Sequence, residues 1–395
     1  MKIFDRKILA SVRKAMNTSE IIVLTGLRRS GKTSVLRKLY DEVPGHNKVF
    51  LDFENFLDRA LFEVKDYNRI VRSLKEVGLS KAKGGFVFID EIQSYPDSVR
   101  ALKYLYDHYQ IKFIVTGSSS FYLKGLFPES LAGRKTIFEL YPLDFEEFLL
   151  FKGVHSTFDK TFHKKAEGKS STRHEKLASY VDEYLKWGGF PQVVLAKDED
   201  HKRRIIGDIF SSYHQKDILQ LSDFRNISVF RDLLMLLIDR TGSKLDISKL
   251  AAEAGISRDT VYSYLSFLEA TYMISLVKPY SLNTGREVSG ARKVYFCDNG
   301  ILSVFGKISA GSAFENAVHC NLMRSHKVNY YQKRTGHEID FVLPESKTAL
   351  EVKTKGSKLD YNKTRANAEQ IKLSHTYFIT KQYCDESWAI PFETL

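Results

Sequence analysis

The chain has 395 residues, with 60 Lys and Arg against 48 Asp and Glu and a formal net charge of +12. At roughly 150 residues per domain this length makes two to four domains, each with a sizeable core, and the basic balance favours a polyanionic partner without naming one. Isolated Cys297, Cys320 and Cys384 suggest neither a disulfide framework nor a cysteine metal cluster; with no 18-residue apolar run and no signal-peptide core after Met1, a soluble, cytoplasmic chain without a membrane span is expected.

Ile21 to Thr25 is an apolar run that reads as a buried strand. Gly26-Leu27-Arg28-Arg29-Ser30-Gly31-Lys32-Thr33 follows at once and spells G-x-x-x-x-G-K-T, with helix-favouring residues from Ser34 to Leu39 behind it. Strand, glycine-rich loop and helix in that order make a phosphate-binding loop. Its backbone N–H groups can wrap a phosphate, Lys32 can reach the β- and γ-phosphates, and the Thr33 hydroxyl can meet Mg²⁺. The expected ATP-contacting set is therefore Gly26 through Ser34. Arg28 and Arg29 are unusually basic beside a triphosphate and could contact nucleotide, DNA or neighbouring acids.

Further strands are expected at Val49 to Phe53, Phe86 to Ile89, Ile111 to Thr116 and Thr136 to Leu140, mostly with helical patterns between them, which makes residues 1–150 a doubly wound α/β domain. The second of these runs into Asp90-Glu91. Asp90 is expected in the Mg²⁺ shell and Glu91 is expected to orient and deprotonate the attacking water. The next strand ends in Thr116-Gly117-Ser118-Ser119-Ser120, where a hydroxyl, assigned to Ser118, would sense the γ-phosphate or else cap a turn. Arg134, just before the last strand, is expected at the phosphate-binding edge, acting in cis or from a neighbouring copy; the other reading is a surface arginine. A homo-oligomer is left open.

Residues 151–240 read as a helical lid and linker. Within it, Gly153 to Lys176 is rich in Lys, His, Ser and Thr and reads as a basic insertion, either a nucleic-acid contact or a solvated loop. Trp187-Gly188-Gly189-Phe190-Pro191 is a turn between helices. Residues 241–300 suggest a winged helix-turn-helix: a short helix from Ile247 to Ala254, a turn at Gly255-Ile256-Ser257 and a second helix from Arg258 to Thr271. Val261, Tyr264, Leu265 and Leu268 would face inward, while Arg258, Thr260, Tyr262 and Ser263 could meet DNA phosphates or base edges. Met273 to Pro279 and Arg292 to Phe296 would form the two strands of a wing, joined by a loop containing Arg286 and Lys293. Such modules also dock proteins or cover an ATPase.

In residues 301–395, Glu338 to Leu343 and Ala349 to Lys353 read as two strands of a hairpin. Asp340 and Glu351 could then converge on one divalent metal, Mg²⁺ or Mn²⁺. Lys353 shares the face of Glu351 by the period of two and could orient or activate water; Glu315 could complete an oxygen-rich shell. Exposed hairpin charges are the plain alternative. His319, His326, His337 and His375 have no zinc-like spacing.

Together these motifs resemble the AAA-like family of bacterial and archaeal ATPases, related to the STAND NTPases, whose P-loop domain is joined to a C-terminal DUF4143 region. The resemblance is carried by Gly26 to Thr33, Phe86 to Glu91, Thr116-Gly117-Ser118, Leu131 to Arg134 with Tyr141-Pro142-Leu143 and Phe145-Glu146-Glu147-Phe148, and Gly188-Gly189-Phe190-Pro191. It implies that the Gly-x-Pro element at Gly189 to Pro191 lies in a lid near the nucleotide. The tail resembles the PD-(D/E)XK nuclease fold, with Glu315, Asp340, Glu351 and Lys353 on its helix-acid, metal-acid and E-x-K positions. What the resemblance implies is an ATPase coupled to DNA binding, with acids that permit metal-dependent cleavage, or a STAND-like nucleotide switch whose C-terminal region recognises protein or is an inactive nuclease-like copy.

Overall fold

The computed structural model describes residues 4–117, 133–213, 227–282, 287, 290–333 and 336–395. Two compact units divide the chain: 1–141 with 270–272, and 142–269 with 273–395. Ser118 and Arg286 lie outside the described residues. Among the described residues no helix is long and apolar enough to cross a membrane.

The first unit is built on a parallel sheet of β1 (Ile21–Thr25), β2 (Lys48–Asp52), β3 (Phe86–Asp90), β4 (Lys112–Gly117) and β5 (Lys135–Glu139), in the order β2-β3-β4-β1-β5. β1 and β4 are buried throughout, as a parallel sheet covered on both faces requires. The period of two sorts their side chains. Ile21, Val23, Val87, Ile89, Phe113 and Val115 meet helices α4 (Tyr67–Glu76) and α5 (Ser98–Tyr109) on one face; Ile22, Leu24, Phe88 and Ile114 meet α1 (Ile8–Met16) and α2 (Lys32–Glu42) on the other. Helix α3 (Phe56–Ala60) follows β2 and is started by the Asn55 side chain accepting from Leu57 N–H.

The second unit opens with α6 (Phe145–Phe151), held by a capping box between Asp144 and Glu147. Both acids also pair with Arg324, at 3.6 and 3.2 Å. Helices α7 (Phe162–Glu167), α8 (Ser171–Trp187), α9 (Pro191–Leu195), α10 (Glu199–Ser212) and α11 (Ile227–Ile238) follow, then α12 (Ile247–Ala254) and α13 (Arg258–Ala270). An antiparallel pair, β6 (Ile274–Val277) and β7 (Lys293–Phe296), precedes α14 (Asn299–Phe305) and α15 (Ala310–Leu322). The tail forms a mixed sheet of β8 (Asn329–Gln332), β9 (Glu338–Leu343), β10 (Thr348–Lys353), β11 (His375–Thr380) and β12 (Ala389–Pro391), with α16 (Lys358–Gln370) crossing between the parallel strands β10 and β11.

The expected boundaries at 150, 240 and 300 all fall inside this unit. One apolar core joins its segments: Leu143, Phe148, Tyr184, Tyr295, Phe314, Phe341, Leu350 and Phe392 belong to a single buried cluster. The basic stretch 153–176 is correspondingly not a free insertion. Phe158 and Phe162 pack on that core, Lys165 donates to the Leu395 carbonyl, Lys169 to the Glu386 carbonyl, and His174 Nδ1 lies 2.8 Å from the buried Glu393 carboxylate.

Candidate functional site

The phosphate-binding loop connects β1 to α2. Gly26 (φ +147°) packs so closely on the chain leaving β5 that a Cβ there would lie 2.1 Å from the Leu140 carbonyl oxygen, and Gly31 (φ +101°) sets the left-handed turn from which α2 starts. Lys32 is 4% exposed, and its ammonium donates back across the loop to the carbonyls of Gly26 and Leu27 at 2.9 and 3.1 Å. Thr33 follows on the first turn of α2, with Ser34 exposed beside it; Arg28 is half-buried and Arg29 exposed. Behind the loop lies a residue that sequence reasoning missed. Arg6 is buried and donates to the Ser30 carbonyl at 2.8 Å and the Tyr141 carbonyl at 2.7 Å, bracing the loop from a position with no local motif.

Asp90 ends β3 and is 4% exposed. Burial raises its pKa, while hydrogen bonds from the Thr116 and Thr33 hydroxyls oppose the rise, so the carboxylate faces the P-loop threonine. The register Ile89↔Val115 sets Thr116 beside Asp90. Thr116 Oγ1 donates to Asp90 Oδ1 and accepts from Glu91 N–H at 3.0 Å, so one wholly buried hydroxyl fixes both acids. Glu91 itself sits in the left-handed region at φ +53°, and the Gln93 side-chain amide donates to its carboxylate. Of the Thr116-Gly117-Ser118 hydroxyls the structure places Thr116 here; Ser118 lies outside the described residues. The signal was available in part, since a threonine following the apolar run Phe113 to Val115 of a buried strand is a buried hydroxyl in need of partners.

Arg134 is not at this edge of its own chain, which corrects the expectation. All five strands run parallel, and Ile21 N–H donates to the Arg134 carbonyl at 2.8 Å, so Arg134 stands at the start of β1 while the P-loop stands at its end. Five residues of strand separate them, roughly 15 Å at about 3.3 Å per residue. Its guanidinium pairs there with Asp107 at 3.2 Å.

In the second unit the structure brings Glu315, Asp340, Glu351 and Lys353 together. Asp340 on β9 accepts from Val352 N–H at 2.8 Å, and Glu351 on β10 pairs with Lys353 at 2.8 Å. Burial, then the charge of Asp340, pushes Glu351 up to about 8 and Glu315 up to about 7; burial also raises Asp340. Glu351 is 7% exposed, and its Oε2 has no hydrogen-bond partner among the described residues. Glu315 is otherwise engaged: its Oε1 accepts from Tyr295 at 2.5 Å and lies 3.2 Å from Lys293, which also pairs with Glu338. Lys293, Tyr295 and Glu338 were not expected in this cluster. Among the described residues no three of His, Cys, Asp and Glu are grouped to hold a metal ion as they stand.

Elsewhere in this unit, Gly255 ends α12 in the left-handed region and Ser257 starts α13, its Oγ accepting from Thr260 N–H at 3.1 Å. Val261, Tyr264, Leu265, Phe267 and Leu268 are buried, whereas Arg258, Tyr262 and Ser263 are exposed. At the Trp187 to Pro191 turn, Gly188 (φ +72°) ends α8 and Pro191 opens α9. Gly189 packs against Leu143, and buried Asp298 accepts from the N–H groups of Gly189 and Gly300 at 2.6 and 2.8 Å. Burial carries Asp298 up to about 7.

Comparison with known proteins adds the following. Residues 18–149 match the family described as AAA domain, and residues 178–311 match a domain of unknown function, DUF8612, within the region for which DUF4143 was expected. The uncharacterized protein MJ1544 of Methanocaldococcus jannaschii is 30% identical over 349 residues, covering 85% of this chain and 74% of that protein. Among solved structures, the Walker-type ATPase PABY2304 of Pyrococcus abyssi aligns over 77% of this chain and 96% of its own, at 14% identity and a TM-score of 0.44. A STAND protein with a tetratricopeptide repeat sensor, PH0952 of Pyrococcus horikoshii, aligns over 81% of this chain and 45% of its own, at 13% identity and a TM-score of 0.31.

Proposed function

We propose that this chain, which belongs to the family of MJ1544, is an ATP-dependent switch: an AAA-type ATPase that binds Mg-ATP, hydrolyses it slowly and passes the nucleotide state to its second unit. The observation that carries this reading is the acid pair at the end of β3. Lys32 and the loop N–H groups are suited to the phosphates, and a buried carboxylate beside a P-loop hydroxyl fits a magnesium ion, so Asp90 and Thr33 would hold Mg²⁺, which would neutralise charge developing between the β- and γ-phosphates. Thr116 fixes the backbone of Glu91, while Gln93 holds its carboxylate. Glu91 must leave Gln93 before it can take a proton from water, and that step keeps turnover slow. Tight retention of nucleotide, with turnover unchanged by duplex, forked or single-stranded DNA, is the expected result; strong stimulation by any of them would refute the switch in favour of a DNA-driven ATPase.

A second reading is favoured by the acid cluster of the second unit. We infer a winged helix-turn-helix in α12, α13 and β6–β7, with exposed Arg258 and Tyr262 available to DNA, and a PD-(D/E)XK-like fold in the mixed sheet. The buried Glu351 Oε2, without a hydrogen-bond partner among the described residues, is acted on by the Asp340 charge and fits a hard divalent cation. Asp340 and Glu351 would hold Mg²⁺ or Mn²⁺, whose chemistry is to polarise a scissile phosphate, while Lys353 orients the attacking water. Metal-dependent cutting of plasmid, linear or branched DNA that disappears in both Asp340→Ala and Lys353→Ala tests it. Cutting that survives an Asp340→Ala, Glu351→Ala double substitution would overturn it.

A further inference from the structure

Lys293 is a charge inside an otherwise apolar strand, Lys293-Val294-Tyr295-Phe296, and all four residues are buried. At 3% side-chain exposure its ammonium has little water and is held by carboxylates: Glu315 Oε1 at 3.2 Å and Glu338, with the Tyr330 ring centroid 5.5 Å away. A lysine this deep stays charged only where such partners offset its desolvation. Glu315 is enclosed as well. Tyr295 donates to its Oε1, and Gly242 (φ +79°) approaches its other oxygen so closely that a Cβ would stand 3.3 Å away. Asp340 and Glu351 differ: one oxygen of Asp340 takes a backbone N–H, one oxygen of Glu351 takes Lys353, and Glu351 Oε2 takes nothing among the described residues.

We propose that Lys293 is the built-in cation of this cluster, taking the place of a second metal ion, so that Asp340 and Glu351 accept one divalent cation and Glu315 is a positioning residue held by β7. The proposal rests on the reading that Asp340 and Glu351 hold a divalent ion. Position supports the division: Lys293 pairs with Glu315 and Glu338 and also compensates Asp340, which is where a second cation would otherwise sit, whereas Lys353 pairs with Glu351. Without Lys293, Glu315 and Asp340 would share an uncompensated site.

The test is a count of Mn²⁺ bound to the full chain without nucleotide, read by electron paramagnetic resonance and taken as the excess over an Asp340→Asn, Glu351→Gln double variant. The intact chain should bind one ion and Lys293→Met two. Lys293→Met leaves buried carboxylates unpaired, so Lys293→Met with Glu338→Gln, which removes one charge of each sign, is the second variant and should also bind two. One ion in the intact chain and one in a folded Lys293 variant would overturn the role of Lys293 alone, as would two ions in the intact chain. No excess ion in any of these proteins would overturn the metal reading beneath it. If neither Lys293 variant folds, with or without Mn²⁺, Lys293 is a structural ion-pair partner and the proposal fails.

Discussion

Replacing Thr116 with valine removes one oxygen atom at nearly constant volume, and the structure sets the size of the effect. Thr116 is wholly buried and joined to both acids, donating to Asp90 and supplying the acceptor for Glu91 N–H. Each buried polar group left without its partner costs about 1–3 kcal/mol, so with two such groups Thr116→Val should lower unfolding free energy by about 2–6 kcal/mol. The functional consequence follows from the backbone. Glu91 at φ +53° occupies a conformation that costs an L-residue about 1–2 kcal/mol, and the bond to Thr116 helps to hold it there. Relaxation would move its carboxylate, and loss of the Thr116 hydrogen bond would raise Asp90 further and weaken its hold on Mg²⁺. Single-turnover ATP hydrolysis should fall by about 10- to 100-fold, equivalent to about 1.4–2.7 kcal/mol of barrier. Thr116→Ser keeps the hydroxyl and should recover most of the rate. Urea unfolding, a fluorescent-nucleotide titration and quench-flow hydrolysis measure the three quantities. Thr116→Val protein that hydrolyses at the parental rate, with stability within about 0.5 kcal/mol of the parent, would refute the assigned role.

Lys32→Ala should abolish productive ATP binding, whereas Glu91→Gln should keep binding and lose at least about 100-fold in turnover, both measured by nucleotide titration and steady-state phosphate release. Arg134→Ala should leave hydrolysis by isolated chains within about twofold, because Arg134 lies at the opposite end of β1 from the P-loop; a loss above about tenfold in a monomer would contradict that placement. Asp298 should make stability fall as pH rises: its folded pKa of about 7 exceeds the unfolded value near 3.8, so the folded state binds the extra proton and its advantage fades between about pH 4 and pH 7, by about 4 kcal/mol in all. The difference in pH slope between parent and Asp298→Asn, followed by chemical unfolding, isolates that contribution, and identical slopes would show that Asp298 is not the group concerned.

Much of the first unit was legible because its signals are contiguous. A buried strand, eight loop residues and a helix start specify their own geometry, and the acids Asp90 and Glu91 are adjacent at a strand end. The same holds for Glu351 and Lys353, which share a strand face by the period of two, and for the turn at Gly255 between two amphipathic helices. Local spacing is enough there because the backbone geometry of a few residues decides which side chains meet.

What the chain order could not settle is which edge of the sheet a residue reaches and what arrives from far away. Arg134 precedes a strand, and only the parallel register with β1 shows that this puts it opposite the phosphates. Arg6 braces the P-loop across 24 residues to Ser30 and 135 to Tyr141, and Asp298 ties the Gly188-Gly189 turn across 109. Lys293 looked like part of a wing, yet tertiary packing commits it to Glu315 and Glu338. Sequence by itself determined the P-loop, the amphipathic elements and the acid-lysine spacing, since each rests on backbone geometry over a few residues. The tertiary structure alone decided the partners of the buried charges, because a desolvated ammonium or carboxylate must find its counter-charge wherever the fold brings one.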